Sequence, residues 1–121
     1  MIETNYPHLG VVYQFYEIYT PKFAPAIAAA LMKHITPQSP PFLVEILGAT
    51  KDKQAVDFLV KTIDLATAEN KMLIACISAL GELGGDMALA ILQNLPRMRN
   101  NFSTEAQEEL EIAIMNIKEE A

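Results

Sequence analysis

A short motif that recurs after 33 residues constrains the fold of this chain more than any other feature. The segment LGELGGD at Leu80–Asp86 leads into an apolar stretch over 87–95, and LGATKD at Leu47–Asp52 leads into another over 55–63. Self-similarity at a period of a few tens of residues is typical of stacked-repeat proteins. The shift pairs Leu47 with Leu80, Gly48 with Gly81, Ala55 with Ala88, Val56 with Leu89, Phe58 with Ile91, and Leu59 with Leu92.

The local pattern predicts short helices separated by proline, glycine and hydroxyl residues. Apolar residues at 56, 59, 60 and 63, and at 73, 76, 77 and 80, follow the three-four spacing of amphipathic helices, and no stretch alternates every second residue. N-terminal caps are predicted at Thr20-Pro21, Ser39-Pro40, Asp86 and Thr104 with Gln107. We predict helices over 8–19, 21–34, 40–48, 53–65, 68–83, 86–95 and 104–118.

These helices group as three hairpins and one unpaired helix. A single hairpin cannot bury its apolar face alone, so neighbouring hairpins stack into a shared core. The prediction is an all-α chain that forms a right-handed α-solenoid of about three stacked antiparallel helix pairs plus a final helix, in one domain over 1–121. Gly48 and Gly81 are interpreted as residues that permit a left-handed exit from their helices. Ala55 and Ala88 are interpreted as points of close approach between paired helices.

Composition and charge exclude several classes of protein. With 51% apolar and 20% charged residues, the chain is typical of globular proteins. Every apolar stretch is interrupted within the roughly 18 residues of a membrane span, and Met1–Asn5 has no basic region leading into an apolar block. We therefore expect no membrane association and a cytoplasmic location. The net charge is −6, and from Glu105 onward six acids face one base, Lys118, so nucleic acid is an unfavourable partner.

Residues 40–95 resemble the short HEAT-like repeat of the bilin lyases of phycobilisomes. In that repeat the first helix ends in Ala-Leu-Gly, the turn carries a small residue and an acid, and the second helix begins with alternating small and apolar residues. Ala79–Gly81 with Asp86 matches this pattern well, and Ile46–Gly48 with Asp52 matches it moderately. Thr20–Ile27 matches only the start of the second helix. The resemblance implies a HEAT-like architecture but no activity, because the family includes enzymes, chaperones and scaffolds.

The residues that support catalysis in such folds are missing from the sequence. Metal oxygenases built from these repeats hold iron with His-Glu pairs, whereas His8 and His34 precede Leu9 and Ile35, so no metal site is expected. Cys76, the one cysteine, lies on an apolar helical face and is predicted to be a core thiol. The glycine-rich segment lacks the Lys-Ser/Thr of phosphate-binding loops. We predict no enzyme activity and no cofactor.

The first predicted helix carries aromatic residues on two sides. Tyr13, Tyr16 and Tyr19 fall on one side and Phe15 on another. A terminal helix needs only one buried side. Either the tyrosines half-cover the core with their hydroxyls in water, or the second face contacts a partner.

The last predicted helix raises the same question. Its inward stripe consists of Leu110, Ala113, Ile114 and Ile117, and Ile112 and Met115 project to the opposite side at 100° per residue. This second face is either partly exposed or covered by another subunit, a binding partner or further chain.

The segment Pro96–Phe102 is the longest predicted irregular stretch and the only local basic cluster. Arg97, Arg99 and Phe102 are candidate contacts for an acidic partner. The alternative is a solvated connector with Phe102 packed against the last helix.

The function we predict is a non-catalytic protein–protein interaction module or scaffold built from HEAT-like repeats. The first alternative is an accessory subunit of a bilin lyase or a similar protein-modifying enzyme, which would share the fold. The second is a structural homodimer formed through the terminal helices.

Overall fold

Six α-helices and no strand make up the part of the chain that the computed structural model describes, residues 24–120. The helices are α1 at 24–34, α2 at Pro41–Ala49, α3 at Gln54–Thr62, α4 at Asn70–Leu83, α5 at Gly85–Met98 and α6 at Thr104–Glu120. The predicted all-α class is confirmed for these residues. The predicted helix 8–19, the start of the helix 21–34 and the Thr20-Pro21 cap lie outside the described residues.

The helix α4 lies at the centre of the fold. It packs against α2 on one side and α6 on the other, and it also contacts α3 and α5. Nine of its 14 residues are buried, whereas three of the 14 residues of α5 are. A helix with neighbours on several sides must be apolar around most of its circumference. The core therefore follows α4 and the inward stripes of the helices around it.

Residues paired by the 33-residue shift lie in equivalent environments. Four of the six pairs are matched in full burial, one is half-buried at both positions, and in the last pair Val56 is buried while Leu89 is half-buried. The fully buried pairs are Leu47 with Leu80, Gly48 with Gly81, Ala55 with Ala88, and Leu59 with Leu92, and the half-buried pair is Phe58 with Ile91.

The interpretation of Gly48 and Gly81 as left-handed helix exits is wrong. Both glycines lie inside helices, and each faces the next helix of the series α2, α4, α6. A Cβ added to Gly48 would lie 2.7 Å from the Cα of Ala79, and one added to Gly81 would lie 2.7 Å from the Cβ of Ala113. Real Cβ atoms do not approach other atoms so closely. The repeated glycine therefore permits close packing between successive helices.

The left-handed residues lie three positions further along the chain. Lys51 has φ 62° and Gly84, its equivalent after 33 residues, has φ 67°. Gly85 follows with φ 91°. The turns after α2 and α4 thus share a position with positive φ. Glycine occupies it without strain in the second turn, whereas in the first turn it is occupied by Lys51, for which positive φ is unfavourable.

Helix ends also differ from the predicted caps. Ser39 does not cap α2, which begins at Pro41. Asp86 lies in the first turn of α5 and makes no capping bond. The cap of α6 is the Ser103 hydroxyl, which accepts a hydrogen bond from the backbone N–H of Ala106 at 3.0 Å.

Pro96 does not end α5, which continues to Met98. A proline inside a helix removes one backbone hydrogen bond to the residue four positions earlier. The helical hydrogen bonding nevertheless continues past Pro96. The N–H of Arg99, the residue after Met98, donates to the carbonyl of Leu95 at 3.1 Å. The predicted irregular stretch at Pro96–Phe102 is therefore shortened to a connector over 99–103.

Candidate functional site

The outer face of α6 exposes two large apolar side chains. Ile112 is 51% exposed and Met115 is 56% exposed. The opposite side of α6 is buried at Ala106, Leu110, Ala113 and Ile117, and Ile114 is half-buried. The prediction that Ile112 and Met115 project away from the core is confirmed. Their role as partner contacts stays a prediction.

Acidic residues surround this apolar pair. At 100° per residue, Glu108 lies one turn before Ile112 and Glu119 one turn after Met115, so the four side chains form one stripe along α6. Glu111 lies beside the stripe and is exposed. None of these carboxylates belongs to either of the two ion pairs found in residues 24–120, Lys51 with Glu82 and Lys61 with Asp57. We call Glu108, Glu111, Ile112, Met115 and Glu119 the α6 outer face.

The predicted basic cluster is divided between solvent and the interior. Arg97 is exposed on the last turn of α5, and Phe102 is half-buried against the core. The Arg99 guanidinium donates to the carbonyl of Ala68 at 2.7 Å and to that of Ala66 at 3.3 Å. These bonds tie the connector after α5 to the connector after α3. Of the residues predicted as contacts here, Arg97, Arg99 and Phe102, only Arg97 is exposed. Met98 beside it is 54% exposed.

Tyr13, Phe15, Tyr16 and Tyr19 lie outside the described residues. Their predicted part in partner binding therefore stays a prediction from the sequence.

An acidic groove between α4 and α6 is a feature that sequence reasoning missed. Its volume is about 330 Å³. Its lining has four carboxylates and one cation, Glu82, Glu109, Glu119, Glu120 and Lys51, so Glu119 lies both on this groove and on the α6 outer face. Burial raises the pKa of Glu45 on α2, and the negative charge of Glu109 raises it further. Glu45 and Glu109 are 64 positions apart, close to twice the 33-residue shift, so the recurring motif was the signal that could have placed them near each other.

The groups that could carry covalent or metal chemistry are few in the described region. Cys76 is fully buried, and burial raises the pKa of its thiol to about 12, so almost none of it is the nucleophilic thiolate near neutral pH. The prediction of a core thiol is confirmed. Residues 24–120 contain no group of three or more His, Cys, Asp or Glu side chains placed to hold a metal ion. His34 is exposed at the end of α1, and His8 lies outside the described residues.

No helix within residues 24–120 is long and apolar enough to cross a membrane. Comparison of the chain with protein-family models, curated proteins and solved structures finds no match. The resemblance to HEAT-like repeats thus stays a prediction.

Proposed function

We propose that this protein is a non-catalytic protein-interaction module of the cytoplasm, built as a short α-solenoid of HEAT-like helix pairs. The observation that carries the proposal is the α6 outer face. There Ile112 and Met115 stand half-exposed, side by side, on the side of the helix opposite its buried stripe. Neighbouring apolar residues on an otherwise charged helix face are typical of contact surfaces.

Contacts between residues about one repeat apart support the solenoid. Gly48 meets Ala79, 31 positions later, and Gly81 meets Ala113, 32 positions later. In a repeat stack each unit contacts mainly its nearest neighbours, so residues in contact lie about one repeat length apart in the sequence. The Ser103 hydroxyl adds another, since it donates to the Asn70 side-chain oxygen 33 positions earlier at 2.8 Å.

The state of two buried groups supports the non-catalytic part of the proposal. The one thiol is buried and protonated. Thr50, the buried polar residue of the described region, has its hydroxyl committed to the Leu47 carbonyl at 2.6 Å. Neither group is free to act as a nucleophile on a bound substrate.

Site-specific photo-crosslinking in the source cell tests the proposal. A photoreactive phenylalanine analogue replaces Met115 in one variant and Met87 in the matched control. Met87 is 61% exposed and lies on α5. We expect a covalent adduct with another protein at position 115 and not at 87. Equal adducts at both positions, or none at 115, would contradict the proposal, and an adduct containing only this chain would replace it with self-association.

A further inference from the structure

We infer that the α6 outer face binds a cationic amphipathic helix of its partner protein. The inference rests on the proposed function and adds the chemistry of the partner. The first step is the shape of the surface. Ile112 and Met115 are three residues apart on an unbroken helix, so their side chains form one apolar contact about one turn long. An apolar strip of this kind fits a second helix that offers apolar residues at the same spacing.

The second step is charge complementarity. Glu108 and Glu119 stand one turn beyond either end of the apolar pair, and Glu111 stands at its side. Lys118 is the single cation on α6, and none of these three acids has an ion-pair partner within residues 24–120. A partner helix that places lysine or arginine one turn before and one turn after its apolar pair would meet the carboxylates in register. The pattern that fits is basic-x3-apolar-x2-apolar-x3-basic.

The third step shows why a cationic partner helix fits the α6 outer face better than a second copy of this chain does. Two α6 outer faces brought together would oppose Glu108, Glu111 and Glu119 to the same acids, and like charges across an interface disfavour association. No residue of α6 is glycine, whereas Gly48 of α2 and Gly81 of α4 let those helices approach their next helix closely. The occupant must pack through side chains at the ordinary interhelical distance of about 8–10 Å.

Peptide binding tests the inference directly. The probe is a fluorescein-labelled peptide of lysine, leucine and alanine, about 18 residues or roughly five turns long, with the stated pattern. Its matched control replaces every lysine with glutamate. Binding to the full chain is followed by fluorescence anisotropy at low and at moderate salt. We expect the lysine peptide to bind, its affinity to fall as salt is added, and the glutamate peptide not to bind.

Two pairs of variants locate the binding. Ile112→Ser with Met115→Ser should weaken binding of the lysine peptide about tenfold, while Met87→Ser leaves it unchanged. Glu108→Gln with Glu119→Gln should also weaken it. The charge-matched pair Asp57→Asn with Asp86→Asn, on α3 and α5, should have little effect. All these side chains are exposed, and thermal unfolding confirms that each variant is folded.

Several outcomes would overturn the inference. They are equal binding of the two peptides, binding that neither α6 pair weakens, and a dimer of the chain that Ile112→Ser with Met115→Ser abolishes. If neither peptide binds while position 115 still crosslinks to another protein, the cationic helix is wrong and the interaction module stands. If position 115 gives no crosslink, the proposed function fails as well.

Discussion

Replacing Gly81 by alanine tests whether the repeated glycine is a helix-packing residue. The new Cβ would lie 2.7 Å from the Cβ of Ala113 and 3.0 Å from its Cα. Both helices are well packed at this point, since Gly81 and Ala113 are buried. Either α4 and α6 move apart by some tenths of an ångström, or the contact is strained.

Two terms of opposite sign set the magnitude. Overpacking of a core by one methyl group costs about 1–3 kcal/mol. Alanine inside a helix is favoured over glycine by about 1 kcal/mol, and this gain offsets part of the cost. We expect Gly81→Ala to lower the free energy of unfolding by about 1 kcal/mol, or the melting temperature by roughly 4 °C.

The decisive measurement is a double-mutant cycle with Ala113→Gly. Removal of the Ala113 Cβ eliminates the closest contact, so the double variant should be about 1 kcal/mol more stable than the sum of the single changes predicts. Urea unfolding followed by circular dichroism at 222 nm measures all four proteins. Gln93→Ala, on an exposed position of α5, is the control for a substitution without a packing change. Additive effects of Gly81→Ala and Ala113→Gly would refute the packing argument, as would a Gly81→Ala variant more stable than the parent chain.

Three further predictions use the same unfolding assay. Arg99→Ala should lower the free energy of unfolding by about 1–2 kcal/mol, because the carbonyls of Ala66 and Ala68 lose their donor. Arg97→Ala should change it by no more than about 0.5 kcal/mol, and equal effects of the two substitutions would contradict the assigned roles. Lys51→Gly should raise stability by up to about 1 kcal/mol, because Lys51 has φ 62°, and a loss would show that its ion pair with Glu82 matters more. The pKa of the Cys76 thiol is about 12 in the folded chain and near 9 in the unfolded chain. Stability should therefore fall as pH rises from 9 to 12, by at most about 1.4 kcal/mol per pH unit, and a Cys76→Ala variant with the same pH slope would exclude this cause.

The sequence predicted those parts of the fold that depend on local periodicity. Leu47 and Leu80, or Leu59 and Leu92, are buried because an apolar residue every three or four positions forms one face of a helix, and a face of that kind must be covered. The exposure of Ile112 and Met115 follows from the same geometry, because both stand opposite the buried stripe. For these positions the neighbouring residues contain all the information that the prediction requires.

Prediction failed where a residue's role depends on a partner about 30 positions away. Gly81 serves close packing because Ala113 lies against it, and a glycine near a helix end looks the same in sequence whether it serves packing or a left-handed turn. Arg99 looked like a surface cation, yet its donors reach the connector 31 and 33 positions earlier. Lys51 gave no signal at all, because lysine is not a residue that favours positive φ.

These failures share a cause that bears on where partners bind. Contacts between segments about 30 positions apart occupy side chains that look exposed in the local sequence, as they do for Arg99. A candidate contact residue must therefore also be free of contacts with the helix about 30 positions before it. Within residues 24–120, Ile112 and Met115 meet this condition, because the residues that α6 presents to α4 lie on its opposite side. A surface of this kind gains most from a partner, since covering it removes apolar area from water without breaking any contact within the fold.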